Sequence, residues 1–341
     1  MPGLRPQVPQ VDYPAILEAA WAQHLAPRAA DALTVISTFA GGGGSSLGYS
    51  MAGFRELLAV EWDDNAVETF HLNFPDVPVY HGDIAALTVE EVLQRTGLKP
   101  GELDVFDGSP PCQGFSTAGK RMMDDPRNQL FREYVRLLRG LQPKVFVMEN
   151  VSGMVKGKMK LVFADILREL KASGYRVSAR LLNAMYFNVP QSRERMIFVG
   201  VRDDLGIEPS HPAAVSVPLP MAVLPESEGA DGWLGHNRYL GCLAHKAKQA
   251  AKGNSFHSVF LDTLKPFPTI PKSVSGAGGI YVLRDGDIRY PTITELKYAA
   301  SYPLGFKTVG KFDNQWARIG NSVPPLFMRS IALHVRREIL G

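Results

Sequence analysis

Apolar and polar positions along residues 31–204 alternate in short blocks that predict strands and helices in turn. Helical patterns are clearest at 127–140 and 158–173. The apolar runs predicted as strands are Leu33–Phe39, Leu57–Trp62, Val77–His81, Leu103–Asp107, Lys144–Glu149, Val177–Leu182 and Arg195–Val201. This alternation predicts an α/β fold, with a mostly parallel sheet covered by helices on both faces. Ligands of such sheets bind beyond the carboxyl ends of the strands.

The pattern changes on either side of this block. Residues 1–30 form an N-terminal extension with a short predicted helix at 14–25. Residues 205–288 are rich in proline, glycine and serine and have weak periodicity, which predicts a second, smaller and irregular domain. Helical patterning returns in 289–341. We expect this C-terminal segment, with a helix at 324–338, to pack back on the first domain.

The composition narrows the cellular context. The chain has 341 residues, of which 45% are hydrophobic and 21% charged, and a formal net charge of +3, which permits a nucleic-acid partner without requiring one. Cys112 and Cys242 are the two cysteines, so neither a disulfide framework nor a cysteine-based zinc site is expected, and no metal is implied. The sequence has no signal-peptide core and no apolar run of about 18 residues. We therefore expect a cytoplasmic protein without a membrane partner.

A strand that ends in two prolines presents one of these cysteines. Pro110 and Pro111 follow the run 103–107, and neither can donate a hydrogen bond to a sheet, so the chain must turn there. Cys112 comes next, at the tip of that turn. A free cysteine is most often a small buried hydrophobic residue, so the turn alone leaves both packing and reactivity open.

A glycine-rich loop, Phe39 to Gly48, follows the first predicted strand. Glycines at a strand-to-helix turn let a ligand approach the backbone. Glu61 follows Gly41 by 20 residues, at the end of the second strand, where an acidic residue usually holds ribose hydroxyls. The dinucleotide pattern G-x-G-x-x-G is not completed, which favours a nucleoside cofactor without a pyrophosphate. Asp83, after the third strand, could accept a hydrogen bond from an adenine amino group or cap a helix.

Seven blocks in order resemble the DNA cytosine-C5 methyltransferases that use S-adenosylmethionine. The blocks are Phe39–Gly48, Glu61–Asp63, Gly82–Ile84, Ser109–Ser116, Met148–Val151, Gln191–Arg195 and Arg318–Pro325. They cover the first domain and the C-terminal segment. The resemblance implies a Rossmann-like methyltransferase sheet, with residues 205–288 as the target-recognition domain.

The resemblance also implies a role for each matching residue. Cys112 would add to carbon 6 of cytosine, Glu149 would act as the general acid at N3, and Arg195 would stabilise O2 of the base. Arg193 is expected to face away from Arg195 and to have a structural or DNA-backbone role, although the family involves both arginines in the site. The cofactor would contact Phe39, Gly41, Gly43, Gly44, Glu61, Trp62, Asp83, Ile84, Pro110, Asn321 and Ser322. The DNA would contact Pro111, Gln113, Ser116, Lys120 and Arg121.

The implied substrate is duplex DNA with the target cytosine flipped out of the helix, because carbon 5 is out of reach in a stacked base. A prokaryotic enzyme of this type is expected to be monomeric and to act alone or beside a restriction endonuclease of the same specificity.

Three alternatives stay open at this stage. A tRNA cytosine methyltransferase of the same family typically carries proline and threonine where this chain has Gly114 and Ser116. A catalytically silent nucleic-acid-binding module would not require Cys112, Glu149 and Arg195. A nicotinamide oxidoreductase is disfavoured by the incomplete dinucleotide pattern.

Overall fold

The computed structural model describes residues 11–111, 129–155, 159–223, 232–253, 258–274 and 279–341. Its helices are α1 (Tyr13–Leu25), α2 (Gly44–Met51), α3 (Asp64–Asn73), α4 (Val89–Thr96), α5 (Gln129–Leu141), α6 (Met159–Lys171), α7 (His236–Ala251), α8 (Ile293–Ala299), α9 (Phe312–Asn321) and α10 (Pro325–His334), which continues into a π-helical turn at Val335–Ile339. Its strands are β1 (Thr34–Thr38), β2 (Arg55–Glu61), β3 (Val79–His81), β4 (Val105–Gly108), β5 (Val145–Val151), β6 (Tyr175–Asn183), β7 (Glu194–Arg202), β8 (Val259–Phe260), β9 (Ile280–Arg284) and β10 (Asp287–Arg289).

The central sheet has seven strands in the order β3-β2-β1-β4-β5-β7-β6. The first five are parallel to one another, whereas β7 lies antiparallel between β5 and β6. The predicted α/β class and mostly parallel sheet are confirmed. The antiparallel insertion of β7 was not predicted, since hydrophobic runs carry no direction.

Successive strand residues are buried on opposite faces of this sheet. Val35, Val105 and Val145 pack into one core with helices α1, α2 and α10, while their neighbours Ile36, Phe106 and Phe146 pack into a second core with α4, α5 and α6. A strand buried on both faces loses the apolar–polar alternation of a half-exposed strand. This explains why the strands appear in the sequence as continuous apolar runs.

The N-terminal extension is anchored on the first of these cores. The Tyr13 hydroxyl donates to the Tyr298 carbonyl at 2.7 Å. Arg28, which follows α1, donates to the carbonyls of His24 and Ser50 at 2.9 Å each and to that of Phe54 at 3.1 Å. One guanidinium thus ties the end of α1 to the end of α2. The helix predicted at 14–25 is confirmed.

Residues 205–288 are less irregular than predicted. They contain the 16-residue helix α7 and most of a three-stranded sheet ordered β10-β9-β8. The helix was missed because Cys242 is the one residue of α7 that is buried. Without a packed stripe, the sequence of α7 carries little helical periodicity.

One proline-rich stretch of this region runs through the first core rather than beside it. Phe267 and Ile270 are buried among residues from β5, β7 and α10. The Phe267 amide donates to the Pro190 carbonyl, and its own carbonyl accepts from the Ser192 amide, both at 2.8 Å. Residues 266–271, which lie inside the predicted range 205–288, are thus part of the first core. The boundaries predicted for the second domain remain a prediction.

Candidate active site

The residues predicted to bind the cofactor and the base lie at one edge of the central sheet. Phe39 follows β1, Glu61 ends β2, Asp83 follows β3, Pro110 follows β4, and Glu149 lies near the end of β5. These strands are neighbours and parallel, so their carboxyl ends meet at that edge. Strand β7 is antiparallel, and the pairing of Val151 with Arg195 brings its first residues to the same edge.

The glycine loop turns sharply between β1 and α2. Phe39, Gly41 and Gly43 have φ angles of +55°, +57° and +95°. A Cβ at Gly43 would lie 2.4 Å from the Phe74 ring, and one at Gly44 would lie 2.6 Å from the Val323 carbonyl oxygen. No described atom would lie within 4 Å of a Cβ at Gly41. Gly43 and Gly44 thus pack against protein, while Gly41 leaves space for a ligand.

The Glu61 carboxylate accepts three backbone amides from the neighbouring loops. One carboxylate oxygen accepts the Gly41 amide at 2.7 Å, and the other accepts the amides of Trp62 and Asp63 at 2.9 and 3.0 Å. Each carboxylate oxygen has two lone pairs, so the oxygen that accepts only the Gly41 amide can still accept from one ribose hydroxyl. Trp62 is 76% exposed beside it. A large exposed aromatic side chain at a strand end suits stacking on an adenine.

Asp83 and Ile84 begin a turn after β3. The Asp83 side chain accepts the Ala85 amide at 2.9 Å, and Ile84 is buried. Asp83 therefore caps a turn and not a helix, because Thr88 is the residue that caps α4. Asp83 itself is exposed and can accept a further hydrogen bond.

The turn that leads to Cys112 is anchored by Asn150. Pro110 is buried, and its carbonyl accepts the Asn150 side-chain amide at 3.1 Å. Pro111 is exposed. Asn150 follows Glu149, so the same contact places the start of this turn beside the candidate acid. The described chain stops at Pro111, and Cys112, Gln113, Ser116, Lys120 and Arg121 lie outside the described residues.

Glu149 and Arg195 form an ion pair across β5 and β7. The Arg195 Nε and Glu149 Oε1 atoms are 2.6 Å apart, and the two side chains are 13% and 11% exposed. The Arg195 Nη1 atom also donates to the Glu194 carbonyl at 2.7 Å. A carboxyl and a guanidinium thus lie together near the end of β5, almost shielded from water.

Arg193 faces away from this pair. Residues two apart in a regular strand share a face, but Arg193 precedes the first residue of β7, so that rule does not govern it. Its Nη1 donates to the Ile270 carbonyl at 3.1 Å and its Nη2 to the Gly320 carbonyl at 2.9 Å. Burial, together with a smaller effect of the nearby Arg195 charge, lowers the pKa of Arg193 to about 9. The described contacts of Arg193 join three chain segments, and its role in catalysis stays a prediction.

The C-terminal block, Arg318–Pro325, lies beside the loop that follows β2. Asn321 ends α9 and is exposed, and the Ser322 hydroxyl donates to the Ile319 carbonyl at 2.7 Å. Arg318 pairs with Asp63 at 2.9 Å. The block therefore contacts the loop after β2, close to the predicted ribose-binding residue.

Asn150 and Arg318 are site residues to which the sequence analysis gave no role. Each lies inside one of the matching blocks. Asn150 fixes the turn before Cys112, and Arg318 fixes the loop after Glu61. Such anchoring contacts join residues 40 and 255 positions apart in the chain, and a single sequence carries no signal for them.

The described residues also bear on metal binding and on membrane insertion. No group of three or more histidine, cysteine, aspartate or glutamate side chains there is arranged to hold a metal ion. No helix among the same residues is both long enough and apolar enough to cross a membrane.

Comparison with known proteins identifies the family. The model of the C-5 cytosine-specific DNA methylase family matches residues 33–228. Type II methyltransferase M1.HphI of Haemophilus parahaemolyticus is 35% identical over 327 residues, which cover 88% of this chain and 86% of that protein. This chain belongs to the C-5 cytosine-specific DNA methylase family. The methyltransferase is also 46% identical over 177 residues to Type II methyltransferase M.AquIA of a Picosynechococcus species, covering 49% of this chain and 71% of that one.

Solved structures show the same fold. A putative DNA modification methyltransferase encoded within an E. coli prophage superposes with a TM-score of 0.71 at 24% identity, covering 91% of this chain and all of that one. The Dnmt2 methyltransferase of S. pombe superposes with a TM-score of 0.66 at 20% identity, covering 89% and 98%. The predicted methyltransferase sheet is thereby confirmed. The enzyme is a DNA cytosine-5 methyltransferase, and its cofactor is S-adenosylmethionine.

Proposed function

We propose that this methyltransferase modifies carbon 5 of a flipped-out cytosine in a specific duplex sequence, through a transient covalent bond between Cys112 and carbon 6. The observation that carries the proposal is the Asn150–Pro110 hydrogen bond. It holds Pro110, two residues before Cys112 in the sequence, beside Asn150, the neighbour of Glu149 in β5.

Cys112, Glu149 and Arg195 would each have a separate role in the reaction. The Cys112 thiolate forms a bond to carbon 6, and the electron pair of the carbon 5–carbon 6 double bond moves into the ring. Glu149 protonates or hydrogen-bonds N3, and Arg195 stabilises the charge that develops on O2. S-adenosylmethionine would supply the electrophilic methyl group for carbon 5, its sulfur–methyl bond breaking to leave S-adenosylhomocysteine. The carbon 5 proton then leaves to water, and the sulfur–carbon 6 bond breaks.

The rest of the proposal concerns how DNA is engaged. Flipping the cytosine costs about a few kcal/mol of stacking and pairing, which contacts elsewhere must offset. We assign backbone contacts to Lys120 and Arg121 and sequence choice to residues 205–288. The Type II relatives support a role beside a restriction endonuclease that recognises the same site. We further propose that the enzyme acts as a monomer in the cytoplasm.

Covalent trapping tests the central step. The target site is first mapped by bisulfite sequencing of DNA from cells that express the enzyme. Duplex DNA with 5-fluorocytosine at that site is then incubated with enzyme and S-adenosylmethionine. Addition and methyl transfer can proceed, but fluorine cannot leave as a cation, so the complex should persist on a denaturing gel.

The controls separate the covalent role from binding. Cys112→Ser should give no band and Cys242→Ser a normal one, and omitting S-adenosylmethionine should remove the band. A tRNA substrate assayed in parallel should not be methylated. If normal DNA is methylated and the fluorinated duplex gives no band, the covalent role of Cys112 is wrong.

A further inference from the structure

A row of buried polar side chains lies beneath the glycine loop, on the face of the sheet covered by α2. Its members come from β2, β1, β4 and α2, and none of them takes part in the chemistry above. We call the set Glu56, Ser37, Asp107, Ser46 and Tyr49 the buried acid cluster. Asp107 is one residue from the Gly108 that ends β4, on the strand that leads to Cys112.

The strand register explains why these side chains share one pocket. Ser37 pairs directly with Asp107 across β1 and β4, so the two side chains project to the same face. Glu56 pairs with Val35 across β2 and β1, and Val35 lies two residues before Ser37, on that same face. Polar residues from three adjacent strands therefore meet below α2.

Two hydrogen bonds join the strands of the cluster to α2. The Tyr49 hydroxyl donates to Asp107 Oδ1 at 3.2 Å, and the Ser46 hydroxyl donates to Glu56 Oε1 at 2.9 Å. Glu56 Oε2 and the Ser37 hydroxyl are both buried, and the Ser37 hydroxyl lies close enough to Glu56 to influence its pKa. Because α2 begins at Gly44, these bonds hold the helix that continues the glycine loop.

The charged groups around the cluster are acidic. The titratable groups that face Asp107 are Tyr49 from α2, Glu56 from β2, Tyr134 from α5 and Glu149 from β5, whose partner is Arg195. The groups that act on Glu56 are the hydroxyls of Ser37 and Ser46. No lysine or arginine among the described residues pairs with either carboxyl.

Asp104, on the approach to the same strand, shows the contrast. Its two carboxylate oxygens are matched by the Lys144 ammonium at 2.7 Å and by the Thr34 amide and hydroxyl at 2.8 and 2.9 Å. An ionised carboxylate is satisfied at Asp104. At Asp107 and Glu56 an ionised carboxylate would be buried without a counter-charge, which is strongly unfavourable.

We propose that Asp107 and Glu56 are positioning residues that, in their neutral form, hold α2 and the glycine loop against β4, and that their ionisation releases the loop and weakens cofactor binding. This inference rests on the proposed cofactor contacts of the loop. Ionisation would leave an uncompensated charge in this buried pocket, and admitting water to hydrate it requires α2 to move away from the strands.

The pKa values of both carboxyls are shifted upwards, which favours their neutral form in the folded protein. Burial raises the pKa of Glu56 from 4.5 to about 7, and burial raises the pKa of Asp107 well above its ordinary 3.8. A carboxyl whose folded pKa lies above its unfolded value binds more protons in the folded state. Its contribution to stability is complete below the unfolded pKa and is lost as pH rises through the folded pKa. For Glu56 that window runs from about 4.5 to about 7.

The test compares wild type with Glu56→Gln and Asp107→Asn, which keep hydrogen-bonding groups and remove the titration. S-adenosylhomocysteine affinity and melting temperature are measured from pH 5.5 to 9. We expect the wild-type Kd to rise roughly tenfold across this range, the factor for one unit of pKa difference between the held and released states. We expect Glu56→Gln to flatten that rise and to melt higher than wild type above pH 7.

Asp104→Asn is the matched control, since it removes a buried carboxyl that has a counter-charge. It should shift the melting temperature equally at every pH in the range and leave the pH dependence of Kd as in wild type. Lys297 also titrates here, because burial lowers its pKa to about 8, so differences between variant and wild type are the quantity to compare. Asp107→Ala, which also removes the bond to Tyr49, should weaken binding at every pH, and Asp107→Asn should rescue it.

The outcomes separate this inference from the proposed function. Parallel pH profiles of melting temperature and Kd for wild type and Glu56→Gln would overturn it, even if Asp107→Asn does not fold. If no S-adenosylhomocysteine binds at any pH, the cofactor assignment fails, and the inference fails with it. Tight binding at pH 6 that weakens with pH in wild type alone supports both.

Discussion

The edge of the central sheet and the region around α7, β8, β9 and β10, which we call the recognition region after its proposed role, are built in opposite ways. At the sheet edge, each candidate residue ends a strand and is held by named contacts, such as Glu149 to Arg195 and Asn150 to Pro110. In the recognition region, α7 buries Cys242 alone and turns most of its residues to solvent. Its contacts to β8 include the Tyr239 ring on Phe260, and Cys242 packs with Tyr281 of β9 and Ile288 of β10.

This difference explains what can be deduced from each region. At the sheet edge, a side chain such as Glu61 accepts backbone amides at a fixed position, so only one residue type serves there. This requirement produces a recognisable sequence motif. A side chain that faces solvent on a helix has no such packing constraint and can be chosen for its contacts to DNA. The sequence therefore indicates the chemistry of the sheet edge, but it does not indicate which DNA sequence the region around α7 would contact.

Replacing each of the two cysteines should have opposite effects on methyl transfer. Cys112→Ser should abolish measurable methyl transfer, because a neutral hydroxyl is a far weaker nucleophile than a thiolate. Cys242→Ser should leave turnover close to wild type, since Cys242 packs in the recognition region. Tritium transfer to mapped duplex DNA is the measurement. Substantial turnover by Cys112→Ser would overturn the proposed chemistry.

Glu149 should follow with the next largest effect. Glu149→Gln removes the proton that the ring nitrogen needs, and loss of a general acid typically lowers kcat by about 10²–10⁴. S-adenosylhomocysteine binding should change little. Glu208→Gln is the control, since Glu208 forms an exposed pair with Arg176. Equal kcat losses in both variants would place Glu149 outside the chemistry.

Two exposed tryptophans, one in each region, test the cofactor assignment. Trp62→Ala should weaken S-adenosylhomocysteine binding by an amount typical of one aromatic contact, about 0.5–1.5 kcal/mol. Trp233→Ala should not, because Trp233 lies over the Arg289 guanidinium at 5.5 Å in the recognition region. Calorimetry gives both values, and NAD should produce no heat. A larger loss for Trp233→Ala than for Trp62→Ala would contradict the assignment.

The smallest expected effect concerns phosphate contacts. Lys248 and Lys252 lie at the exposed end of α7, and replacing either by alanine should lower the slope of log K against log salt by about one. Lys265, paired with Asp262, is the control and should change the slope little. Binding to duplex DNA is measured between 50 and 300 mM salt. Unchanged slopes for both α7 variants would remove this helix from the interface.

The sequence was most informative where a strand is buried on both faces. The apolar runs predicted β1 within a residue at each end and β7 within one, since both strands are buried along nearly their whole length. The order of the strands in space was not predictable, because β7 enters between β5 and β6 through contacts far apart in the chain.

The candidate site shows the same limit. Glu61, Glu149 and Arg195 were predicted from local motifs, and the structure brings them to one edge. The pairing of Asp63 with Arg318 and the burial of Glu56 were not predicted, because both depend on which distant segment covers the residue.

The contact between Gly320 and the proline-rich stretch has a consequence for engineering. A Cβ at Gly320 would lie 2.1 Å from the Pro271 carbonyl oxygen, and the Trp316 indole donates to the same oxygen at 2.9 Å. Transplanting the whole interval 205–288 from another enzyme would therefore replace a piece of the catalytic interior along with the DNA-reading surface. A chimera designed to acquire a new target sequence should keep residues 265–274 native and exchange the chain on either side of them.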